Sequence, residues 1–261
     1  MSEKVIDTMG PINFGWNTLK ANLKFFVILM TLVGIAYSIP QLISLILPSE
    51  ESPFGGPISL LILAVLFILF IIINVMFEVG MINIAIIFRD GGTPQIRDLF
   101  SSKPIILVNY VVASFFYGLM VVVGLLLLIV PGVFLALKYQ FFGYLIIDRG
   151  MGPFEALKES GRLTDGAKKD LFVFWLTLIC GILVIMLVLG LFIALPIGFV
   201  MAIISRDLVP IFAFVASLIT TIINILVITP ITNLAMADIY KTLQTRLAAL
   251  ATASSQAPVE A

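Results

Sequence analysis

The chain has 261 residues, of which 61% are hydrophobic and 11% are charged, with a mean hydropathy of +1.19. A soluble domain is usually about 45–50% apolar and about 25% charged, and one of this size would still expose roughly a quarter of its unfolded-state surface. The composition therefore predicts a protein whose solvent is lipid. The 15 basic and 15 acidic residues balance, so there is no basic field to attract nucleic acid.

Residues that commonly carry catalysis are scarce. The sequence has no histidine, the commonest general base and metal ligand, and it has a single cysteine, Cys180. One cysteine cannot form an intramolecular disulfide or a CxxC redox or metal pair. Dinucleotide-binding, metalloprotease and nucleophile-elbow motifs do not occur. We therefore expect a protein that is not an enzyme and that binds no cofactor or metal.

Long apolar stretches predict six transmembrane helices. The second stretch, of 31 residues, is longer than a hydrocarbon core of ~30 Å requires. The fourth has only 15 residues, or ~22 Å at about 1.5 Å per residue. It must therefore borrow length from the adjacent Pro131–Gly132 turn or lie in a locally thinned bilayer. The six stretches are Phe25–Leu47, Ile58–Phe88, Pro104–Val130, Val133–Ile147, Leu171–Leu195 and Leu208–Ala237.

The placement of basic residues predicts that both termini face the cytoplasm, because cytoplasmic loops are enriched in Lys and Arg. In this orientation only Lys138 and Arg206 of the 15 basic residues lie on the outer side. The first outer loop, Pro48–Pro57, contains Glu50 and Glu51 and no basic residue. We expect a multi-pass protein of a bacterial cytoplasmic (inner) membrane.

Three segments on the predicted inner side begin with glycine and proline and continue into a short amphipathic stretch. They start at Gly10-Pro11, Gly92-Thr93-Pro94 and Gly152-Pro153. Proline suits the first turn of a helix, so each segment predicts an interfacial helix, followed by a hairpin of two spans. The outer turns are predicted at Leu47-Pro48, Val130-Pro131 and Leu195-Pro196. Duplication and convergence explain these three units equally well.

The predicted fold is thus an all-α polytopic bundle of six spans in three hairpins. It forms one membrane domain over residues 1–240, followed by a partly disordered cytoplasmic tail over residues 241–261. Each interfacial helix is expected to place its apolar face in the headgroup layer. That face contains Ile12, Trp16, Leu19 and Leu23 in the first helix. In the third helix we expect burial of Phe154 and Leu157 to hold the segment against the bundle, with Lys158 on the charged face.

Two stretches carry a family resemblance. The run from Leu125 to Ser160 contains Pro131-Gly132, Asp148-Arg149-Gly150 and Gly152-Pro153-Phe154, and an earlier loop reads Arg89-Asp90-Gly91-Gly92-Thr93-Pro94. Roughly residues 80–165 resemble the bacterial family of the glycerophosphoryl diester phosphodiesterase membrane domain, which includes YciC-like proteins. In some members this domain adjoins a soluble phosphodiesterase barrel. Because the sequence ends 21 residues after Tyr240, the resemblance implies the membrane architecture and not that activity.

Two charged residues inside apolar stretches are the main candidates for function. Glu78 lies 20 residues into the second stretch, and a carboxylate inside a membrane suggests a proton or cation site. The alternative, which the length of this stretch favours, places Glu78 at the inner headgroup level in a structural role. Lys138 is expected near the outer end of its span, with its side chain extended toward the headgroups and far from Glu78. The remaining candidates are residues of turns and of the third interfacial helix: Pro131, Gly132, Gly152, Pro153 and Phe154.

Two classes of function agree with this pattern. In the first, a non-enzymatic scaffold or lipid-interacting protein binds membrane lipids, another membrane protein or a second copy of itself. In the second, the protein is a transporter or channel for a small solute or ion. Transporters tend to have broken helices and polar clusters near the membrane midplane, whereas most prolines here lie at predicted turns, with Pro40 and Pro230 as exceptions. The pattern therefore favours the first class.

Overall fold

The structure is a computed structural model that describes residues 6–46, 57–205 and 208–256. Within these ranges it contains helices and their connections and no strand. Its helices are α1 (Met9–Ala21), α2 (Leu23–Ile46), α3 (Pro57–Arg89), a 3₁₀ helix (Ile96–Phe100), α4 (Pro104–Leu127), α5 (Ile129–Tyr139), α6 (Phe142–Arg149), α7 (Pro153–Leu163), α8 (Lys168–Leu189), α9 (Leu195–Ile204), α10 (Leu208–Ile223) and α11 (Thr229–Gln256). Two π-helical segments, Gly190–Ala194 and Asn224–Ile228, join α8 to α9 and α10 to α11.

Five helical stretches of the described residues are long and apolar enough to cross a membrane. The count rises to six if α1 and α2, which are bent by 95° at their junction, are taken as one broken span. The predicted all-α bundle of apolar helices is therefore confirmed. Glu50 and Glu51 of the predicted first outer loop lie outside the described residues, and so does Arg206.

Buried side chains concentrate in α1, the first half of α2, the second half of α3, α6, α7 and the middle of α11. Phe26, Phe141, Phe174 and Tyr240 are among the largest fully buried side chains. On α8, α9 and α10, in contrast, large apolar side chains are mostly exposed, and Phe199 is 70% exposed. Continuous apolar surface of this extent is suited to lipid and not to water.

α1 packs against α11. The face of α1 that was predicted to lie in the headgroup layer is therefore partly buried inside the protein. The buried residues of α1 are Pro11, Gly15 and Leu19. Gly15 lies so close to α11 that a Cβ atom there would be 2.7 Å from the carbonyl oxygen of Ile231. Trp16 remains 43% exposed and Leu23 is also exposed. Leu19 therefore packs inside the protein, whereas Trp16 and Leu23 stay on the outer surface.

Ion pairs join the C-terminal ends of α3 and α6 to the middle of α11. Arg89 pairs with Asp238, and the Nζ atom of Lys241 lies 3.0 Å from a carboxylate oxygen of Asp148 and 3.1 Å from one of Asp90. We call these five residues the charged network. Because each cation meets a carboxylate from a different part of the chain, the network fixes the ends of α3 and α6 against the middle of α11.

The segment after Pro94 forms a 3₁₀ helix, Ile96–Phe100, where the sequence predicts an amphipathic interfacial helix. The backbone N–H of Gln95 donates to the Asp98 carboxylate at 2.7 Å, which closes the segment into one tight turn. Leu99 is buried against α3. The second interfacial element is thus shorter than the first and third because Asp98 folds it back on itself.

α4 and α5 form a hairpin whose connection is the single residue Leu128, in an extended conformation (φ −164°, ψ 149°). The Leu128 N–H donates to the Gly124 carbonyl at 3.0 Å, and the Leu128 carbonyl accepts from the Gly132 N–H at 3.3 Å. A Cβ atom on Gly124 would lie 2.9 Å from the Gly132 Cα atom, so two glycines allow the helices to meet. Pro131 lies in the first turn of α5, and the fourth predicted span gains length as expected, covering Ile129–Arg149.

α7 docks on the bundle, as predicted for the third interfacial helix, but it runs back along α6. Gly152 is its N-cap and Pro153 occupies its first turn. At the start of α7 the Asn109 side chain donates to the Met151 carbonyl at 3.4 Å. Near its end, Ser160 donates to the Lys138 carbonyl at 3.2 Å. α7 therefore returns from the end of α6 toward the start of that helix and the end of α5.

Two predicted boundaries are displaced. The predicted turn at Leu195-Pro196 lies inside a continuous helical stretch, Lys168–Ile204, because proline is tolerated in the first turn of α9 and a π-helical segment precedes it. α11 continues to Gln256, so residues 241–256 of the predicted tail are helical. Residues 241–250 are rich in Lys, Leu, Gln, Arg and Ala, which favour helix. Residues 257–261 lie outside the described part of the chain.

Candidate functional site

Polar side chains from five helices meet at a cavity of about 740 Å³. They project from α3, α4, α6, α8 and α11, and one comes from the break between α5 and α6. The rest of the lining is apolar, which is typical of ligand sites in which a few polar groups fix orientation. The polar or aromatic-polar residues are Glu78, Tyr110, Ser114, Tyr117, Gln140, Tyr144, Trp175, Thr232 and Asn233.

Glu78 supplies the negative charge of the cavity. It precedes Arg89 by 11 residues on α3, which is ~16 Å along the helix axis. Its carboxyl group lies close to the hydroxyl of Tyr110 and near enough to Tyr144 to act on it electrostatically. No Lys or Arg is among the described residues that line the cavity, and none of those described forms an ion pair with Glu78.

Other polar groups of the cavity bond within the protein. The indole N–H of Trp175 donates to the Gln140 side-chain oxygen at 2.8 Å. The Tyr144 hydroxyl donates to the Asn233 carbonyl at 3.2 Å. These bonds fix the aromatic side chains in place, because a buried polar tip strongly prefers a hydrogen-bond partner. Glu78 is therefore the charged residue of the described lining that can bind a ligand.

Two irregular parts of helices border the cavity. Gln140 lies in the break between α5 and α6, and the π-helical segment Asn224–Ile228 precedes Thr232 and Asn233. The Thr232 hydroxyl donates to the Ile228 carbonyl at 2.9 Å, and the Asn233 amide donates to the Thr229 carbonyl at 3.1 Å. Helix irregularities of this kind are frequent at functional sites. Both side chains thus bond back to carbonyls one turn earlier in the same helical stretch.

Lys138 is not among the residues that line the cavity, and its backbone and side chain contact α7 and the turn after it. Its carbonyl accepts hydrogen bonds from the hydroxyls of Ser160 and Thr164, at 3.2 and 3.0 Å. Its side chain passes Gly161, where a Cβ atom would lie 3.1 Å from the Lys138 Cε atom. Lys138 thus packs beside α7, and its position relative to the lipid headgroups stays a prediction. This contact results from the return of α7 along α6, which covers this part of α5.

The other predicted candidates are structural in position. Pro131 and Gly132 build the start of α5, and Gly152 and Pro153 build the start of α7. Phe154 was expected to be buried, but it is 60% exposed. Its ring contacts that of Phe116 on α4, with centroids 4.9 Å apart. It follows Pro153 in the first turn of α7.

The aromatic residues of the cavity were not predicted from the sequence. On α4, Tyr110, Ser114 and Tyr117 are spaced by four and three residues, which places them on one helical face. A polar face on an otherwise apolar helix was therefore a usable signal. Tyr144 and Trp175 had no such signal, because each is a single aromatic residue on a different helix.

The fold and the exposed apolar surface define an all-α, multi-pass membrane protein with a largely apolar cavity. Among the described residues there is no group of three or more His, Cys, Asp or Glu arranged to hold a metal ion. Comparison with protein-family models, with curated proteins and with solved structures finds no match. The resemblance to the phosphodiesterase membrane-domain family stays a prediction.

Proposed function

We propose that this chain is a non-enzymatic membrane protein of a bacterial cytoplasmic membrane that binds an ammonium-bearing amphiphile in the Glu78 cavity. The main observation in its favour is that Glu78 lines an aromatic, mostly apolar cavity with no basic residue among its described lining. This proposal specifies the lipid-interacting class of function. It also changes the role of Glu78 from the structural one expected from the sequence to that of a ligand-binding residue.

Electrostatics favours a cation as the ligand. The Glu78 side chain is exposed at the cavity, so a ligand can reach its carboxylate. A carboxylate that faces lipid is costly unless a counter-charge or hydrogen bonds compensate for it. The described protein provides the Tyr110 hydroxyl near Glu78 and no Lys or Arg. A ligand ammonium group would supply both the opposite charge and N–H donors, and charge-assisted hydrogen bonds are the strongest available. An anionic ligand would meet like charge and is disfavoured.

The aromatic lining favours the same chemistry. Tyr110, Tyr117, Tyr144 and Trp175 line the cavity with Glu78. Cations are attracted to the faces of tyrosine and tryptophan rings by about 0.5–2 kcal/mol each, depending on desolvation. The apolar part of the lining would accommodate the hydrocarbon of an amphiphile. The ligand chemistry is thus an ammonium group attached to an apolar chain.

Two sources supply this chemistry: the headgroup of an aminophospholipid and a free alkylamine. The binding experiment uses purified protein in nanodiscs of phosphatidylglycerol, which lack any ammonium group. One arm adds phosphatidylethanolamine and counts retained lipid by native mass spectrometry. The other titrates octylammonium and measures its Kd by calorimetry. Retention in the first arm alone identifies a lipid, and binding in the second alone identifies a free amine.

The matched variants are Glu78→Gln and Glu155→Gln, each of which removes one carboxylate and keeps the shape of the side chain. Glu155 is exposed on α7 and does not line the cavity. Charged hydrogen bonds contribute about 1.5–3 kcal/mol, so Glu78→Gln should raise the Kd about 10- to 100-fold. Glu155→Gln should leave the Kd unchanged. Absence of binding in both arms, or equal effects of the two variants, would contradict the proposal.

The alternative function is transport of a small cation through the same cavity. The break at Gln140 and the π-helical segment before Thr232 support it, because transporters often build sites from interrupted helices. Uptake of tetraethylammonium into proteoliposomes tests it, since this ion does not cross lipid unaided. Uptake that Glu78→Gln abolishes and Glu155→Gln preserves would favour the carrier over the binding protein.

A further inference from the structure

A second recess of about 980 Å³ lies between α5 and α8 and is lined almost wholly by apolar side chains. Ile129, Val130 and Phe134 come from α5, and Val173 comes from α8. Lys168 and Lys169, at the start of α8, complete the lining. We call this recess the lysine groove. It shares Val133, Leu137 and Phe172 with the Glu78 cavity and has the opposite charge.

The lysine side chains of the groove are held differently. The Nζ atom of Lys168 lies 2.6 Å from the Asp165 carboxylate and 4.9 Å from the centre of the Phe134 ring. Lys168 is therefore fixed at the edge of the groove by an ion pair and a cation–π contact. Lys169 is exposed and forms no ion pair with any of the described residues.

A third cation reaches this edge from α11. The Nη1 atom of Arg246 lies 3.5 Å from the Asp165 carbonyl oxygen, and its Nη2 atom would be 3.1 Å from a Cβ atom on Gly166. Arg246 has no ion pair within the described ranges. The acids nearby are already engaged: Asp165 pairs with Lys168, and Asp170 accepts the Ile6 N–H at 3.1 Å. Lys169 and Arg246 thus leave local positive charge without a carboxylate partner.

We infer that the lysine groove binds an anionic glycerophospholipid. The phosphate would meet Lys169, Lys168 and Arg246 at the edge, and an acyl chain would lie along Val130, Phe134 and Val173. Basic recesses between membrane helices commonly bind anionic headgroups. A free phosphate would leave the apolar length of the groove unused, which is why the occupant is a lipid. The groove adjoins the Glu78 cavity through three shared apolar residues, but Lys168 and Lys169 line only the groove, so this inference does not depend on the function proposed for the cavity.

The test measures retention of phosphatidylglycerol against phosphatidylcholine with the same acyl chains, by native mass spectrometry of the purified full chain. The variant is Lys168→Gln with Lys169→Gln, and the control is Lys20→Gln with Lys24→Gln, which removes the same charge from α1 and α2. Each base near an anionic lipid contributes roughly fivefold in affinity. The preference for phosphatidylglycerol should therefore fall about 25-fold in the variant and stay unchanged in the control.

Lys169→Gln alone serves as a second variant in case the double variant misfolds, because Lys169 is exposed and forms no ion pair among the described residues. We expect it to lower the preference for phosphatidylglycerol over phosphatidylcholine roughly fivefold. Val173→Trp tests the acyl chain: it should reduce retention of both lipids by filling the groove. Glu78→Gln should leave phosphatidylglycerol retention unchanged. Equal retention of both lipids by the unaltered protein, equal loss in variant and control, or unchanged retention in Val173→Trp would overturn the inference.

Discussion

The buried hydroxyl of Ser160 joins two backbone groups at the break between α5 and α6. It accepts a hydrogen bond from the Phe141 N–H at 3.1 Å and donates one to the Lys138 carbonyl at 3.2 Å. Thr164 donates to the same carbonyl at 3.0 Å. A buried backbone group without a partner costs about 1–3 kcal/mol. The break that positions Gln140 in the cavity therefore depends on hydroxyl groups supplied by α7 and the turn after it.

Ser160→Ala should destabilise the protein by about 1–3 kcal/mol, because the Phe141 N–H loses its acceptor and Thr164 remains as the other donor to Lys138. Thermal unfolding in a mild detergent measures the effect. Ser217→Ala is the control, since the exposed Ser217 hydroxyl bonds only to the Phe214 carbonyl of its own helix. An Ser160→Ala protein as stable as the control would show that the hydroxyl does not maintain the break.

Leu157 and Phe154 should differ in their contributions to stability. Leu157 is buried between α7 and the bundle, whereas Phe154 is 60% exposed. Replacing a buried leucine with alanine costs about 2–5 kcal/mol, so Leu157→Ala should lower the unfolding temperature clearly more than Phe154→Ala. Lys158→Gln should have little effect, because Lys158 is exposed. A larger fall in unfolding temperature for Phe154→Ala than for Leu157→Ala would instead support the burial of Phe154 that was predicted from the sequence.

At the scale of helices, the contact of α1 with α11 is set by one glycine. A Cβ atom on Gly15 would lie 2.7 Å from the Ile231 carbonyl oxygen, and a backbone atom in a helix cannot move aside cheaply. The contact also decides which face of α1 remains outside, with Trp16 and the nearby Lys20 in a cation–π pair at 5.3 Å. That outer face is suited to the lipid headgroup layer.

Gly15→Ala should therefore separate α1 from α11 and cost about 1–3 kcal/mol, the usual range for overpacking. Gly118→Ala serves as the control, because the space around Gly118 is open within 4 Å, and alanine favours helix by about 0.5–1 kcal/mol over glycine. Unfolding temperatures of the two variants should shift in opposite directions. Equal shifts would mean that α1 is not held closely against α11.

The apolar spans were predictable from the sequence because each is defined by its own residues. The extra length of the fourth span around Pro131 followed from the same reasoning. The direction of α7 was not predictable, because it depends on bonds between Ser160 and residues about 20 positions earlier. The Glu78 cavity combines side chains from six helices, of which only the α4 face with Tyr110 and Tyr117 has a local pattern.

Across the whole molecule, the tip of the α4–α5 hairpin is unusual in its chemistry. Leu125–Val130 are six consecutive apolar residues, all exposed, and Leu126 is 81% exposed. In water, each such side chain would forgo about 1.5–3 kcal/mol of burial free energy. The polar backbone atoms of the connecting Leu128 are both hydrogen-bonded, so this tip can lie in lipid without unpaired groups at its turn.

We therefore expect the tip to be inaccessible from either aqueous side of the membrane. Leu127→Cys, in a Cys180→Ser background, should resist a membrane-impermeant maleimide in intact and in permeabilised cells. Glu155→Cys, at an exposed position on α7, should react in at least one of these conditions. Labelling of Leu127→Cys from one side would place the tip in water, as the predicted outer turn at Val130-Pro131 requires.

The single-residue connection at Leu128 also constrains how the protein is made. A hairpin with a polar loop can thread its helices into the membrane one after the other, with the loop passing through a hydrophilic channel. Here no polar side chain separates α4 from α5 between Gly124 and Val130, and Gly124 meets Gly132 directly. We therefore expect the two helices to enter the membrane together as a pair, and a charged residue introduced at Leu127 should lower the amount of membrane-inserted protein.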